Sequence, residues 1–325
     1  MLDLFITHWN EDWETVVKKG FDMLGCQRLV DWDAIRIVLV HDGSSAFPEE
    51  YFASYPFKVE QVELPHGGIA KARNWCIDHA EATWIRWHDC DDMFSNAYSL
   101  YGIMDGLQVA QNYDLLWFTI YAEIDGKLHI KDERDPVVIH NKIFRRQMLL
   151  DKNLRFPEFL TWCEDSAFLA VMEMEIDHQR IGKMTCTGIP YIWYCRQGSL
   201  CNRPEIKFEN LKSFFERHKF VAEEFRKRNM MDQCHTMIAR IMVDSYITLN
   251  RTDLPEGSDT EAHEKAVWDY FIDHRQDFLA CRDEMFDRVM VACNREAPPE
   301  CGTVKKEEVL DWLKRMKAKH EGSAA

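Results

Sequence analysis

Three carboxylates in four positions, Asp89-Cys90-Asp91-Asp92, close the apolar run Ala82-Thr83-Trp84-Ile85-Arg86-Trp87-His88. Side chains at i and i+2 of an extended chain point the same way, so Asp89 and Asp91 would stand side by side beyond the end of a strand. Oxygen donors so arranged suit Mg2+ or Mn2+, hard cations commonly shared with the phosphates of a substrate. A substrate carrying a diphosphate is the implied partner. Acidic clusters also occur as solvated turns and helix N-caps, so the meaning of Asp89, Asp91 and Asp92 depends on their neighbours.

Two neighbouring segments add to the pattern. Gly67 and Gly68 let the backbone approach a ligand closely. Lys71 and Arg73 follow near the start of a helical stretch, where a helix N-terminus and cations both favour phosphate; a solvated helix face would look the same. Glu164-Asp165 opens a second helical stretch, Ser166 to Glu175, a place that the helix dipole alone also favours for acids. His41, His88 and His140 lie near these segments and are read as packed or hydrogen-bonding histidines rather than metal ligands.

The elements that must position these residues alternate. Asp3 to His8 and Asp33 to Val40 predict strands, with a helix over Asp12 to Leu29 between them that places Trp13, Val16, Val17, Phe21 and Leu24 on one face. A third strand near Lys58 to Leu64, a helix from Ile69 to Ala80 and a strand at Thr83 to Trp87 continue the series. Such alternation predicts an α/β fold, a mainly parallel sheet flanked by helices, with ligands beyond the carboxyl ends of the strands. Thr7 to Glu11, His41 to Ser44 and Asp89 to Asp92 all fall there. Leu115 to Ala122 and Lys127 to Lys131 read as a hairpin across Asp125-Gly126. After Pro204 apolar residues recur at helical spacing in five stretches, beginning with Phe208 to Phe225, so residues 1–204 are expected to form the α/β domain and 205–325 a helical C-terminal region.

Composition narrows the classes. With 325 residues, 46% of them hydrophobic, the chain can bury a large core in one elaborated domain or two. A net charge of −15 argues against a broad surface that tracks nucleic-acid phosphates. Eleven cysteines, an odd number without CxxC or Cys/His ligand spacing, read as buried thiols in a reducing compartment. No run of about 18 apolar residues predicts a transmembrane segment, and Met1-Leu2-Asp3-Leu4-Phe5 lacks the character of a signal peptide. The cytoplasm is the expected location.

Taken in order, these segments resemble the family 2 glycosyltransferases of the GT-A fold over about residues 2 to 200. The resemblance rests on Phe5-Ile6-Thr7-His8-Trp9-Asn10-Glu11, Val40-His41-Asp42-Gly43-Ser44, Gly67-Gly68-Ile69-Ala70-Lys71-Ala72-Arg73-Asn74 and Asp89-Cys90-Asp91-Asp92. Downstream it continues through Asn141-Lys142-Ile143-Phe144-Arg145-Arg146, Phe156-Pro157-Glu158, Trp162-Cys163-Glu164-Asp165, and Tyr194-Cys195-Arg196 with Ser199. It implies that Thr7, His8, Trp9, Asn10 and Glu11 flank the base and ribose of a nucleoside diphosphate sugar, and that Asp42 accepts a hydrogen bond from a uracil-type N–H. Gly68, Lys71 and Arg73 would approach the phosphates, and Arg196 and Ser199 would belong to a loop closing over them. Asp91 would be the first ligand of Mn2+ or Mg2+, with Asp89 toward the ribose or a metal-bound water and Asp92 beside them. Asp165 would be the catalytic base beneath the acceptor hydroxyl, oriented by Glu164.

The implied function is metal-dependent, inverting transfer of one sugar from a nucleoside diphosphate donor, UDP by preference, to an acceptor hydroxyl. His41 stands where the family usually has another aspartate, and the Gln-x-x-Arg-Trp signature of processive synthases is absent, which favours single transfer. Sugar nucleotidyltransferases share the sheet but open with a Gly-rich loop carrying an Arg, unlike Thr7-His8-Trp9-Asn10-Glu11. A non-catalytic nucleotide-sugar binder is opposed by the presence of both Asp91 and Asp165. Acceptors open to such an enzyme include glycans, lipid-linked precursors, proteins and modified nucleobases, the last disfavoured by the acidic charge.

Overall fold

Strand β1 (Leu2–His8) is buried along its whole length, as expected where helices cover both faces of a parallel sheet. In the computed structural model, which describes residues 1–124, 126–132, 134, 137–186, 188–194 and 207–321, β1 is the hub of such a sheet. A π-helical turn, Trp13–Val17, and helix α1 (Lys18–Gly25) lead to β2 (Ile35–Asp42), β3 (Val59–Leu64), α2 (Ile69–His79) and β4 (Trp84–Asp89). Next come β5 (Met93–Phe94), α3 (Ser99–Val109), β6 (Leu115–Trp117), β7 (Ile120–Ile124), β8 (Lys127–Lys131), β9 (Lys142–Arg145) and α4 (Arg146–Asp151). Helix α5 (Glu164–Glu175), β10 (Ile181–Lys183) and β11 (Tyr191–Tyr194) complete the series.

Seven strands form the main sheet in the order β10-β6-β9-β4-β1-β2-β3. Neighbours are parallel except at β9, which runs antiparallel to both β4 and β6. Because β2 and β3 extend from one side of β1 and β4 from the other, strand order reverses between β1 and β4, the switch point at which open α/β sheets bind ligands. The helix expected over Asp12 to Leu29 is two pieces. The Asp12 carboxylate accepts the Thr15 N–H at 3.0 Å to start the π-helical turn, and the α-helix ends at Gly25. Trp13, Val17, Phe21 and Leu24 are buried in the core as their spacing required.

The single strand expected over Leu115 to Ala122 is also divided. Its first half, β6, belongs to the main sheet, while its second half, β7, leaves at Phe118-Thr119 to join a four-stranded sheet of order β5-β11-β7-β8. The expected hairpin pairs β7 with β8 from Ile120↔Lys131 to Ile124↔Lys127; Asp125 lies outside the described residues.

Two compact units divide the chain, Met1–Arg203 and Pro204–Ala325. The second contains α6 (Lys207–Lys227), α7 (Met231–Arg251), α8 (Thr260–Asp273), α9 (Arg275–Ala280), α10 (Asp283–Glu296) and α11 (Lys306–Glu321). Helix α7 is its core, burying Ile238, Ile241, Met242, Val243 and Tyr246 among the other five. The helix expected over Val267 to Leu279 breaks at His274, which caps both α8 and α9. Among the described residues no helix is long and apolar enough to cross a membrane.

Candidate active site

Thr7 and Asp89 are register partners at the carboxyl ends of β1 and β4, and the Thr7 hydroxyl lies 3.5 Å from the Asp89 carboxylate. Extended geometry stops there. Cys90 and Asp91 form a turn, closed by the Asp92 N–H donating to the Asp89 carbonyl at 3.0 Å. The i, i+2 argument that put Asp91 beside Asp89 therefore does not apply, and the turn brings Asp92 round instead. Ligand atoms of Asp89, Asp92 and His140 lie within 4.8 Å of one another, the one such cluster of His, Cys, Asp and Glu among the described residues. Asp91 is outside it. Two carboxylates and an imidazole fit a divalent cation such as Mn2+, which accepts nitrogen as well as oxygen.

Each member is held from outside the motif. Asp92 is 1% exposed; its carboxylate accepts the Tyr191 hydroxyl and, at 2.8 Å, the Tyr194 N–H. His140 stacks on Trp193 at 5.5 Å between ring centres and places Nδ1 3.4 Å from Asp89. Burial works against the charge of Asp89, yet the His140 hydrogen bond and the Arg73 guanidinium hold its carboxyl below the usual range. For His140 burial is likewise outweighed by Asp89, so its pKa is raised. Burial pushes Asp92 up to about 8, His140 opposing and Asp89 reinforcing. These are the shifts of two carboxylates and an imidazole crowded out of water.

Arg73 departs from its expected place among the phosphates. It is 3% exposed and lies under the Phe156 ring at 5.6 Å, with Nη1 donating to Glu164 at 2.7 Å and Nη2 3.4 Å from Asp89. Its position in the second turn of α2 turns it inward, so both carboxylates take its donors. Lys71, two residues earlier and so on the opposite face of the helix, is exposed. Asn74 fixes the loop before α5, exchanging hydrogen bonds with the Phe156 backbone at 2.8 and 2.9 Å and donating to Glu158 at 3.0 Å.

Glu164 and Asp165 open α5 behind Cys163, whose φ of 66° is left-handed. A non-glycine residue there costs about 1–3 kcal/mol, a strain that concentrates at functional sites. Burial and the neighbouring Asp165 push Glu164 up to about 7, Arg73 opposing. Burial also raises Asp165, which accepts the Ser166 N–H at 2.7 Å.

The remaining expected residues gather at the ends of β1 and β2. Asp42 accepts the N–H groups of Gly67 at 2.7 Å and Gly68 at 2.9 Å, with His66 Nδ1 at 3.0 Å. Its carboxylate shapes the glycine loop, where Gly68 has φ +87°, rather than standing open for a base. His8 and His41 meet through Nδ1 atoms at 2.9 Å, and burial followed by the charge of His8 lowers His41 to about 4. Asn10, at φ 61°, hydrogen-bonds Ser44 at 2.8 Å. Glu11 accepts the Trp9 N–H at 2.7 Å, and Trp9, 43% exposed, stacks on His66 at 5.1 Å. Arg196 and Ser199 lie outside the described residues. Tyr191, Trp193 and Arg86 entered no sequence expectation, because an aromatic strand and a lone arginine within an apolar run carry no motif.

The family model described as "Glycosyl transferase family 2" matches residues 3–179, more than half of the 325-residue chain. The structure resembles Staphylococcus aureus TarS residues 1–349 in complex with UDP, with TM-score 0.62 and 18% identity over 99% of this chain and 91% of that one. A second structure of the same TarS fragment gives TM-score 0.61, also at 18% identity, with the same coverage. The minor teichoic acid biosynthesis protein GgaB of Bacillus subtilis (strain 168) is 31% identical over 70 residues, which span 20% of this chain and only 8% of that protein. With the match running from β1 past the carboxylates of β4 and through α5, this chain belongs to glycosyl transferase family 2 and is a glycosyltransferase of the GT-A fold.

Proposed function

We propose that this glycosyltransferase moves a single sugar, with inversion, from a UDP-sugar to an acceptor hydroxyl, with a divalent cation held by Asp89, Asp92 and His140. The observation that carries the reading is the Arg73 bridge, by which one buried guanidinium joins Asp89 of the cation cluster to Glu164 beside Asp165. Donor-side and acceptor-side carboxylates are thereby parts of one network. When bound, the cation supplies neutralisation of the charge on the departing diphosphate. Asp165, raised by burial, is suited to take the acceptor proton as the oxygen attacks the anomeric carbon. One base and one displacement invert the configuration.

Preference for uridine draws on the UDP complex of TarS, a relative in fold. Exposed Trp9 and Lys71, near the same strand ends, are the groups offered to base and phosphates. The test is calorimetric titration with UDP and GDP, with and without Mn2+, beside a hydrolysis screen of UDP-, GDP-, CDP- and TDP-sugars. UDP binding that strengthens with Mn2+ is expected; equal GDP binding, or hydrolysis undiminished by EDTA, would defeat the reading.

A further inference from the structure

Arg86, in the middle of β4, is completely buried without a carboxylate in contact. Its guanidinium lies 4.6 Å from the Tyr191 ring centre, 5.4 Å from Phe94 and 5.6 Å from Phe118. Nη1 donates to His88 Nδ1 at 2.9 Å, Nη2 approaches the His140 carbonyl at 3.4 Å, and Nε has no hydrogen-bond partner. A buried cation without an ion pair is among the most expensive groups a core can hold. Packing alone would be served better by an aliphatic side chain, since hydrophobic replacements of buried charges are often neutral or stabilising.

What Arg86 touches explains its presence. Tyr191, whose ring lies against the guanidinium, donates its hydroxyl to Asp92. A guanidinium can only donate, so His88 accepts at Nδ1 and carries its proton on Nε2, from which it donates to the Asp92 carbonyl at 3.2 Å. The third contact is the backbone of His140 itself. Two routes thus reach Asp92 and one reaches His140, from a single side chain behind the cluster.

We propose that Arg86 is a positioning residue of the cation site, setting Asp92 through Tyr191 and His88 and His140 through its carbonyl. The proposal rests on reading Asp89, Asp92 and His140 as that site. Loss of a group that orients metal ligands typically lowers metal affinity roughly 10–100-fold. The measurement is Mn2+ binding, followed by electron paramagnetic resonance with UDP present, for the wild type and for Arg86→Met, Arg86→Lys and Tyr191→Phe, each checked for folding by circular dichroism. Arg86→Met should lose Mn2+ affinity by that factor, Arg86→Lys should recover part of it through the retained charge on Tyr191, and Tyr191→Phe should weaken binding without altering the packing of the ring. If Arg86→Met does not fold, Tyr191→Phe and Arg86→Lys decide alone. Wild type that fails to bind Mn2+ overturns the cation reading and the proposal with it. Wild type that binds, with folded variants binding equally well, overturns the role of Arg86 alone.

Discussion

The two units handle charge in opposite ways. All seven buried Asp, Glu, Arg and Lys residues among those described, namely Asp3, Asp42, Arg73, Arg86, Asp92, Lys142 and Glu164, lie in the α/β unit. The helical unit buries only histidines of the ionisable kind that could carry charge at neutral pH, His218 and His263, both with pKa lowered by burial. Its Asp, Glu, Arg and Lys ion pairs are half-buried or exposed, the latter as with Arg288–Glu284 at 2.8 Å, whose side chains are 70% and 72% accessible. Exposed pairs contribute about 0–1 kcal/mol, whereas buried charges cost several kcal/mol each to desolvate. The helical unit is therefore built for packing, and the α/β unit tolerates a less stable interior where its carboxylates converge.

The sharpest way to break that comparison is Asp165→Asn, which keeps size but cannot take a proton. Transfer should fall 10²–10⁴-fold, roughly the value of a general base, with UDP binding unchanged; wild-type turnover would remove Asp165 from the proton transfer. Arg73→Met comes next, because it strands Glu164 and Asp89 without their shared cation. A loss of about 3–5 kcal/mol is expected in denaturant unfolding, set against about 0.5 kcal/mol for Arg288→Met. Equal losses would erase the distinction.

A smaller effect sharpens the comparison through pH. With Asp92 raised to about 8 and His140 also raised, the cluster without a cation holds protons that a cation must displace. Binding then releases protons, so Mn2+ affinity should climb with pH, by up to about tenfold per unit for one proton, and level off above about pH 8. Titrations between pH 6 and 9 measure it, and a flat profile would contradict the shared protonation. The smallest effect is salt: 0.5 M NaCl should leave the Arg73 network intact while screening Arg288–Glu284, readable as unequal salt dependence of the two variants above.

Strands β1 to β4, their order along the chain and the residues at their ends were legible in the sequence because each depends on local pattern, such as Leu4-Phe5-Ile6 of β1 and Ile37-Val38-Leu39-Val40 of β2, whereas β5, β9, β10 and β11 were not read as strands. The meeting of Asp89, Asp92 and His140 was legible only in part. Asp89 and Asp92 were singled out, but the turn at Cys90-Asp91 that decides which carboxylates meet is a matter of backbone rather than composition. His140 precedes β9, which runs against its neighbours, and so arrives at the ligand edge by the start of a strand instead of its end. Arg73 was placed among phosphates because the facing of α2 against α5 joins residues 91 positions apart, a distance no spacing rule spans.

The hydroxyl of Tyr191 and the carboxylate of Asp92 are 99 positions apart, and the Tyr194 N–H that completes the grip is 102 positions away. Loops of that length close late, after local hairpins and helices have formed. The cation cluster should accordingly be absent from the folding transition state, so that substitutions at Tyr191 speed unfolding while leaving the folding rate nearly unchanged. The same long closure that makes the site late to assemble makes it the part of the α/β unit whose residence time a bound donor could most extend.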